Sequence, residues 1–339
     1  MTILDINDVH GGTALMATAE LSAAELLIDH PLVIGVPVRT KPVDQAWLEC
    51  KRIVAAGGPA FTLVGEPGSG RKCAARLIAA ALHQDFRQLP VLHHALPRIA
   101  PENTRERWQA MMFSLGNHNV SVRSSTILKA RSIQTILDTA RRKGSFGTIL
   151  MIVHNFEWLD TLWSSMLLDL RDAVCAAGYR LFFLNVANSS YLPQAQSRLL
   201  SSSIAHEIPG LIGAPCALRH LSSLGDFEHL FSELDTLYFP ANSDCSWLAF
   251  YLPRAYRFGL RLRACTDDFQ AAYTGFCKDS GRSTVPTRCI FNVIRIALTC
   301  QTLKDEEGLK LDIAVWRAAF EQAASSFPTS LVLANEVQQ

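Results

Sequence analysis

Residues 59–76 read PAFTLVGEPGSGRKCAAR, and this stretch decides the fold. An apolar run from Phe61 to Val64 enters Gly65-Glu-Pro-Gly-Ser-Gly70, and a helix-forming sequence follows. A strand that runs into a Gly-rich turn and then opens a helix is the layout of a phosphate-binding loop. Hydrolysing loops place Lys directly after the last Gly, then Ser or Thr. The Lys reaches the outer phosphates and the hydroxyl holds magnesium. Here those two places hold Arg71 and Lys72, with Cys73 next. Arg71 keeps the charge in a larger, planar fork. Lys72 puts a cation where a hydroxyl would meet the metal. A register in which Lys72 is the phosphate lysine needs one extra loop residue and turns its side chain roughly 100° around the helix. The candidate nucleotide-binding residues are Gly65, Gly68, Gly70, Arg71, Lys72 and Cys73. A Gly-rich turn with no ligand is the alternative. ATP binding is expected to be weak, and magnesium binding weak or absent.

From residue 59 onward short apolar strands alternate with helical patterns, the signature of a parallel sheet. The expected strands are 61–64, 89–93, 148–153, 180–186 and 204–208. The expected helices between them are 71–83, 103–115, 125–142, 158–177 and 191–200. Upstream, 20–29 fits a short amphipathic helix, 31–42 an extended lead-in, and 43–56 a helix stopped by Gly57-Gly58. Downstream, 224–237, 244–259, 266–279, 285–303 and 311–325 read as helices. The expected organisation is an N-terminal extension and lead-in helix over 1–58 and a P-loop core over 59–212. An all-α lid over 213–330 and a tail over 331–339 complete it. The fold class is α/β, a five-stranded parallel sheet with flanking helices followed by a helical domain.

Composition bounds the function. The 339 residues are 49% hydrophobic and 19% charged, which suits a globular protein of roughly two domains. A net charge of +1 gives no global basic field, so any DNA contact comes from local patches. Nine cysteines are scattered without a C-x-x-C pair, which reads as reduced thiols and a cytoplasmic location. Residues 1–12, MTILDINDVHGG, lack the basic and apolar runs of a secretion signal. No run of about 18 apolar residues marks a membrane span.

A hydrolysing loop of this kind works with a second signature, an apolar strand ending in Asp-Glu. The Asp orients magnesium and the Glu activates water. The strand Ile149–Val153 ends instead in His154-Asn155, so both carboxylates are missing. No catalytic residue is assigned. His154 is either a polar group near a phosphate or a strand-end residue bonded to backbone. His93-His94 lies at another strand end without a carboxylate pair and is read as non-metal, and no metal site is expected.

The chain resembles the AAA+ transposition regulators of the TnsC/TniB/MuB class. Their second signature runs four apolar residues, then Asp-Glu-x-Gln-x-Leu; here the frame reads Leu150-Met-Ile-Val153, then His154-Asn-Phe-Glu157-Trp-Leu159. HPLVIGVPVRTKPVDQA, from His30, is similar to that family's His-Pro lead-in. The segments 284–298 and 312–320 are similar to its helical lid. The resemblance covers about 30–325 in outline. It implies a sensor group at Asn185 or Asn188 and an interface arginine at Arg198. It also implies assembly into rings or filaments on DNA, and contacts with a transposase and a target-selection protein. With hydrolysis lost, Arg198 could pair with Glu66 of a neighbouring subunit as a static contact.

Arg254, Arg257 and Arg261 fall at i, i+3 and i+7 and form one basic stripe if 244–259 and its continuation are helical. They are the candidate DNA-binding residues, with Tyr256 or Phe258 to stack on bases. A solvated face paired with acids is the alternative. Arg141-Arg142-Lys143 reads as a helix end whose cations suit the dipole. Three readings of function stand at this point. They are a transposition adaptor with an impaired ATPase site, an active ATPase with an unusual loop, and an interaction module unrelated to DNA.

Overall fold

The computed structural model describes residues 28–86, 89–117, 124–143, 147–240 and 243–325. Residues 20–27 of the helix expected over 20–29 lie outside them, as does the tail over 331–339. The strands are β1 (Ala60–Gly65), β2 (Val91–Ala95), β3 (Thr148–His154), β4 (Arg180–Asn188) and β5 (Ala214–Ala217). They pair in parallel in the order β2-β3-β4-β1-β5. Parallel strands covered on both faces need continuous apolar runs, and β3 and β4 are that kind of sequence.

One turn, α1 (Pro31–Ile34), comes first in the chain, and the helices that flank the sheet begin with α2 (Lys41–Ala55), α3 (Arg71–Asp85), α4 (Thr104–Ser114) and α5 (Ser125–Arg142). Then come α6 (Thr161–Ala176), α7 (Leu192–Leu200) and α8 (Ile208–Ile212). One sheet face packs Phe61, Leu150, Ile152 and Phe182 against Ile78 and Leu82 of α3 and Cys50 of α2. The other packs Ile149, Met151 and Phe183 against Met111 of α4, Ile136 of α5 and Leu167 of α6. Each fully buried Leu, Ile or Phe contributes about 1.5–3 kcal/mol. The sheet therefore holds rigid the C-terminal strand ends from which the site is built.

Local expectations change at the fifth strand and in the lead-in. The fifth strand is Ala214–Ala217, and the apolar positions near 204–208 feed α8 instead. Pro209 suits the first turn of α8. Gly213 then reverses the chain at φ 66°, where a Cβ would run into the Ala60 carbonyl. β5 itself reads APCA, too short and weakly apolar to announce a strand. The lead-in is not wholly extended either. Pro31–Ile34 makes one helical turn whose start is capped by His30, its Nδ1 accepting from the Leu32 N–H at 3.2 Å.

The chain divides into two compact units. One spans Arg39–Ser222 with Thr284–Arg288; the other takes in Ser223–Ser283 and the described residues 28–38 and 289–325. The second unit is helical: with α1 it holds α9 (Leu224–Asp235), α10 (Trp247–Tyr251), α11 (Pro253–Arg257), α12 (Thr266–Asp279), α13 (Thr287–Gln301) from Cys289 onward, and α14 (Ile313–Ser325). Ser223 and Asp226 close a reciprocal cap at the start of α9. Phe227 and Phe231 pack edge-on to Phe269, which also meets Trp316 and Phe320. The single helix expected over 244–259 is broken. Pro253 pushes Leu252 out of the helical region, to φ −131° and ψ 63°, and two short helices result.

Candidate functional site

The loop lies where β1 passes into α3. Gly68 and Gly70 have φ of 82° and 84°, a region glycine enters without steric cost. The Ser69 N–H donates to the Glu66 carbonyl at 3.1 Å and closes the turn. Gly70 is the N-cap of α3 and no side chain caps the helix. The first-turn amides are therefore left for an anion or water, and their dipoles favour negative charge. Ser69 is buried, and its hydroxyl has no hydrogen-bond partner. A Cβ on Gly65 would strike that hydroxyl, so the loop closes tightly on itself. This backbone fits a phosphate chain.

Arg71 folds back over the loop. Its Nη1 donates to the Gly65 carbonyl at 2.8 Å and to the Glu66 carbonyl at 3.0 Å. Burial lowers its pKa, while the nearby Glu157 carboxylate acts the other way. Lys72 is exposed, and Cys73 is half-buried with its thiol pushed up by burial, away from nucleophilic use.

The strand ends carry imidazoles. His154 closes β3, and its Nε2 lies 3.4 Å from Nδ1 of His93 on β2. The two rings stack with centroids 5.7 Å apart and planes within 10°. Burial pushes His154 down to about 4, and His93, Lys72 and Arg76 add to the shift. His93 is lowered by burial and then by Arg76. His94 points into the core, where it bonds Ser114 Oγ at 2.9 Å, and burial brings it to about 4. Asn155 adopts a left-handed backbone at φ 55°, which Asn tolerates, and its amide donates to the Leu96 carbonyl at 3.1 Å. Magnesium asks for hard, anionic oxygens. His154 and Asn155 supply none, and Lys72 and Arg76 repel a cation. Magnesium does not fit these strand ends. Among the described residues no group of three or more His, Cys, Asp or Glu could hold a metal.

One carboxylate was missed by motif reasoning. Glu157, in the single turn Phe156–Trp158 after β3, is buried, and its Oε2 accepts the Asn188 N–H at 3.1 Å. An acid set among Phe156, Trp158 and Leu159 was the available signal. Asn188 ends β4 in register with Gly65, at the edge of the loop. Asn185 is buried inside the sheet. It pairs with Thr62 inside the sheet, and its amide donates to the Leu211 carbonyl at 2.9 Å and to Thr62 Oγ1 at 3.1 Å.

A second segment of the same unit meets the loop. His220 accepts the Thr287 N–H on Nδ1 at 3.2 Å, so its proton sits on Nε2, 3.3 Å from the Glu66 carboxylate. The Arg288 N–H donates to the Gly68 carbonyl at 3.0 Å. Glu66 thus has a partner in its own chain, which competes with a pairing to Arg198. Arg198 is exposed on the last turn of α7.

The basic stripe is not a stripe. Arg254 and Arg257 are exposed on α11, but this helix ends at Arg257 and Gly259 turns the chain at φ 98°. Arg261 lies beyond it, its guanidinium 3.9 Å from the Tyr256 ring centroid and bonded to the Tyr256 carbonyl at 2.9 Å. That takes up a face of Tyr256, while Phe258 stays exposed. Arg141 and Arg142 do sit on the last turn of α5, where both bond Asp138.

The fold is similar to that of the Aeropyrum pernix ORC2 protein in its ADPNP-ADP complexes. That match has 13% identity and a TM-score of 0.53, over 86% of this chain and 69% of that one. It is also similar to Drosophila ORC bound to DNA, at 12% identity and a TM-score of 0.51, over 95% of this chain and 71% of that one. These likenesses show the fold: a five-stranded parallel sheet with flanking helices and a helical C-terminal region, of the AAA+ P-loop type. No protein-family model and no curated protein matches the chain. The Gly65–Gly70 turn lies between β1 and α3. Among the described residues no helix is long and apolar enough to cross a membrane.

Proposed function

We propose that this chain is an AAA+-fold adaptor of DNA transposition. It binds ATP weakly, turns it over poorly, assembles with copies of itself on DNA, and links a target-selection protein to a transposase in the cytoplasm. The observation that carries the reading is a phosphate cradle with an intact backbone beside strand ends without carboxylates. Removing the groups that position metal and water costs several powers of ten in rate, while main-chain amides still bind phosphate. The His30 lead-in, the fold shared with a DNA-bound protein, and exposed Arg254 and Arg257 support the DNA side. Arg198, exposed on α7, is the residue proposed for the contact between subunits. The test is DNA binding across salt, with and without ATP, alongside electron microscopy of the assemblies. Rings or filaments on DNA support the reading. No binding at low salt overturns it in favour of a module unrelated to DNA.

The buried carboxylate of Glu157 favours a second reading, a slow ATPase in which Glu157 activates the attacking water. Glu157→Gln lowers the residual rate under this reading and leaves it unchanged under the first.

A further inference from the structure

We propose that His93, His154, Lys72 and Arg76 form a metal-free cationic seat for the outer phosphates of a phosphate chain entering the Gly65–Gly70 loop. The proposal rests on the reading of that loop as a phosphate site and adds what takes the place of its metal. Three separate features support it. First, α3 leaves its N-terminal amides uncapped at Gly70, and the buried Ser69 hydroxyl beside them lacks a partner. Second, Lys72 and Arg76 stand at i and i+4 on the first turns of α3 and are both exposed, so one helix face carries two cations. Third, the ends of β2 and β3 bring two imidazole nitrogens to 3.4 Å. His154 Nδ1 has no hydrogen-bond partner, so the pair is not a saturated structural contact.

Charge decides what such a place holds. In a hydrolysing site carboxylates hold a metal and the metal holds the phosphates. Here the end of β3 carries His154 and Asn155 in place of carboxylates, and the cations belong to the protein. The cations acting on the imidazole pair are Lys72 and Arg76 from α3. Both disfavour a proton on the free pair, and burial does so too. A phosphate chain reverses that balance, because an adjacent anion favours the charged imidazole. Binding therefore takes up protons. A seat of Lys and Arg alone does the opposite, since it lowers the pKa of the phosphate itself and releases protons. The sign of the proton change separates the two.

The test is calorimetry on the full chain at mildly acid pH in EDTA. Inorganic tripolyphosphate and ATP are titrated separately, each in two buffers of different ionisation heat. Both ligands are expected to bind without magnesium and with net proton uptake. Affinity should rise as pH falls, by about tenfold per pH unit for each proton taken up. His93→Gln with His154→Gln abolishes the uptake while melting shows the fold kept. Lys72→Ala with Arg76→Ala, both at exposed positions, weakens binding roughly tenfold or more. Proton release in the wild type overturns the proposal, as does uptake that survives the double His variant, or a large gain in affinity with magnesium. Binding of ATP alone overturns it too, because the seat would then not recognise the phosphate chain. If neither ligand binds, the phosphate-loop reading fails with it. Efficient ATP turnover would sink the adaptor reading and leave proton-linked binding to be judged on its own result.

Discussion

The loop and the strand ends beside it are built from opposite kinds of group. Residues Gly65–Gly70 act through backbone: two left-handed glycines, an uncapped helix start and a carbonyl pair that holds Arg71. The ends of β2 and β3 act through side chains, and their side chains are imidazoles. Main-chain dipoles survive almost any substitution that respects the φ angles, whereas a metal site is lost with its carboxylates. Binding and hydrolysis can therefore part company within one site.

The largest expected effect is on hydrolysis. ATP turnover, followed by phosphate release, should lie several powers of ten below a rate on the order of one per second. Turnover near one per second that Arg71→Ala abolishes would erase the difference between the two regions.

Acid sharpens the strand-end side. His94 is buried and neutral, held at about 4 against 6.5 for the free side chain. The unfolded chain takes up its proton first as pH falls. The stability is whole above 6.5, declines between 6.5 and 4, and is lost below that. The same window applies to His30, which is ringed by Phe239, Trp247, Phe250 and Tyr251. Each group accounts for roughly 3 kcal/mol. Denaturant unfolding at neutral pH and near pH 4 measures it, and equal stability at both would contradict the burial of these rings.

Gly70→Val tests the loop side. A β-branched residue at φ 84° costs about 1–3 kcal/mol of strain. ATP binding should be lost while the melting temperature drops only a few degrees. Unchanged binding would show that the loop is a plain turn.

The smallest effect lies away from both regions. Arg254→Ala with Arg257→Ala should lower DNA affinity and flatten the salt slope by about one unit per lost phosphate contact. Arg261→Ala should add little, since that guanidinium is occupied by Tyr256. ATP binding should not change in any of these variants.

The regular parts of the fold were legible in the sequence. The pattern over 125–142 gives α5 to the residue, and β1, β3 and α12 fall where apolar period and turn signals put them. β5 was not legible, because an edge strand reading APCA takes its place from the Gly213 reversal rather than from its own residues. Local sequence suggested a continuous basic helix at 254–261, and Pro253 with Gly259 overrode it. At the site, the replaced residues Arg71, Lys72, His154 and Asn155 could be read from motif spacing. Glu157 offered only its apolar neighbours as a signal and His220 none, since each acquires its place through contacts with Asn188, Glu66 and Thr287, far away in sequence.

The most direct measurement of the central claim is equilibrium dialysis of ATP against the full chain, once in EDTA and once with magnesium. Weak binding of similar strength in both is the expected result. Tight binding that appears only with magnesium would mean that the strand ends hold a metal after all, and the separation of cradle from catalysis would be wrong.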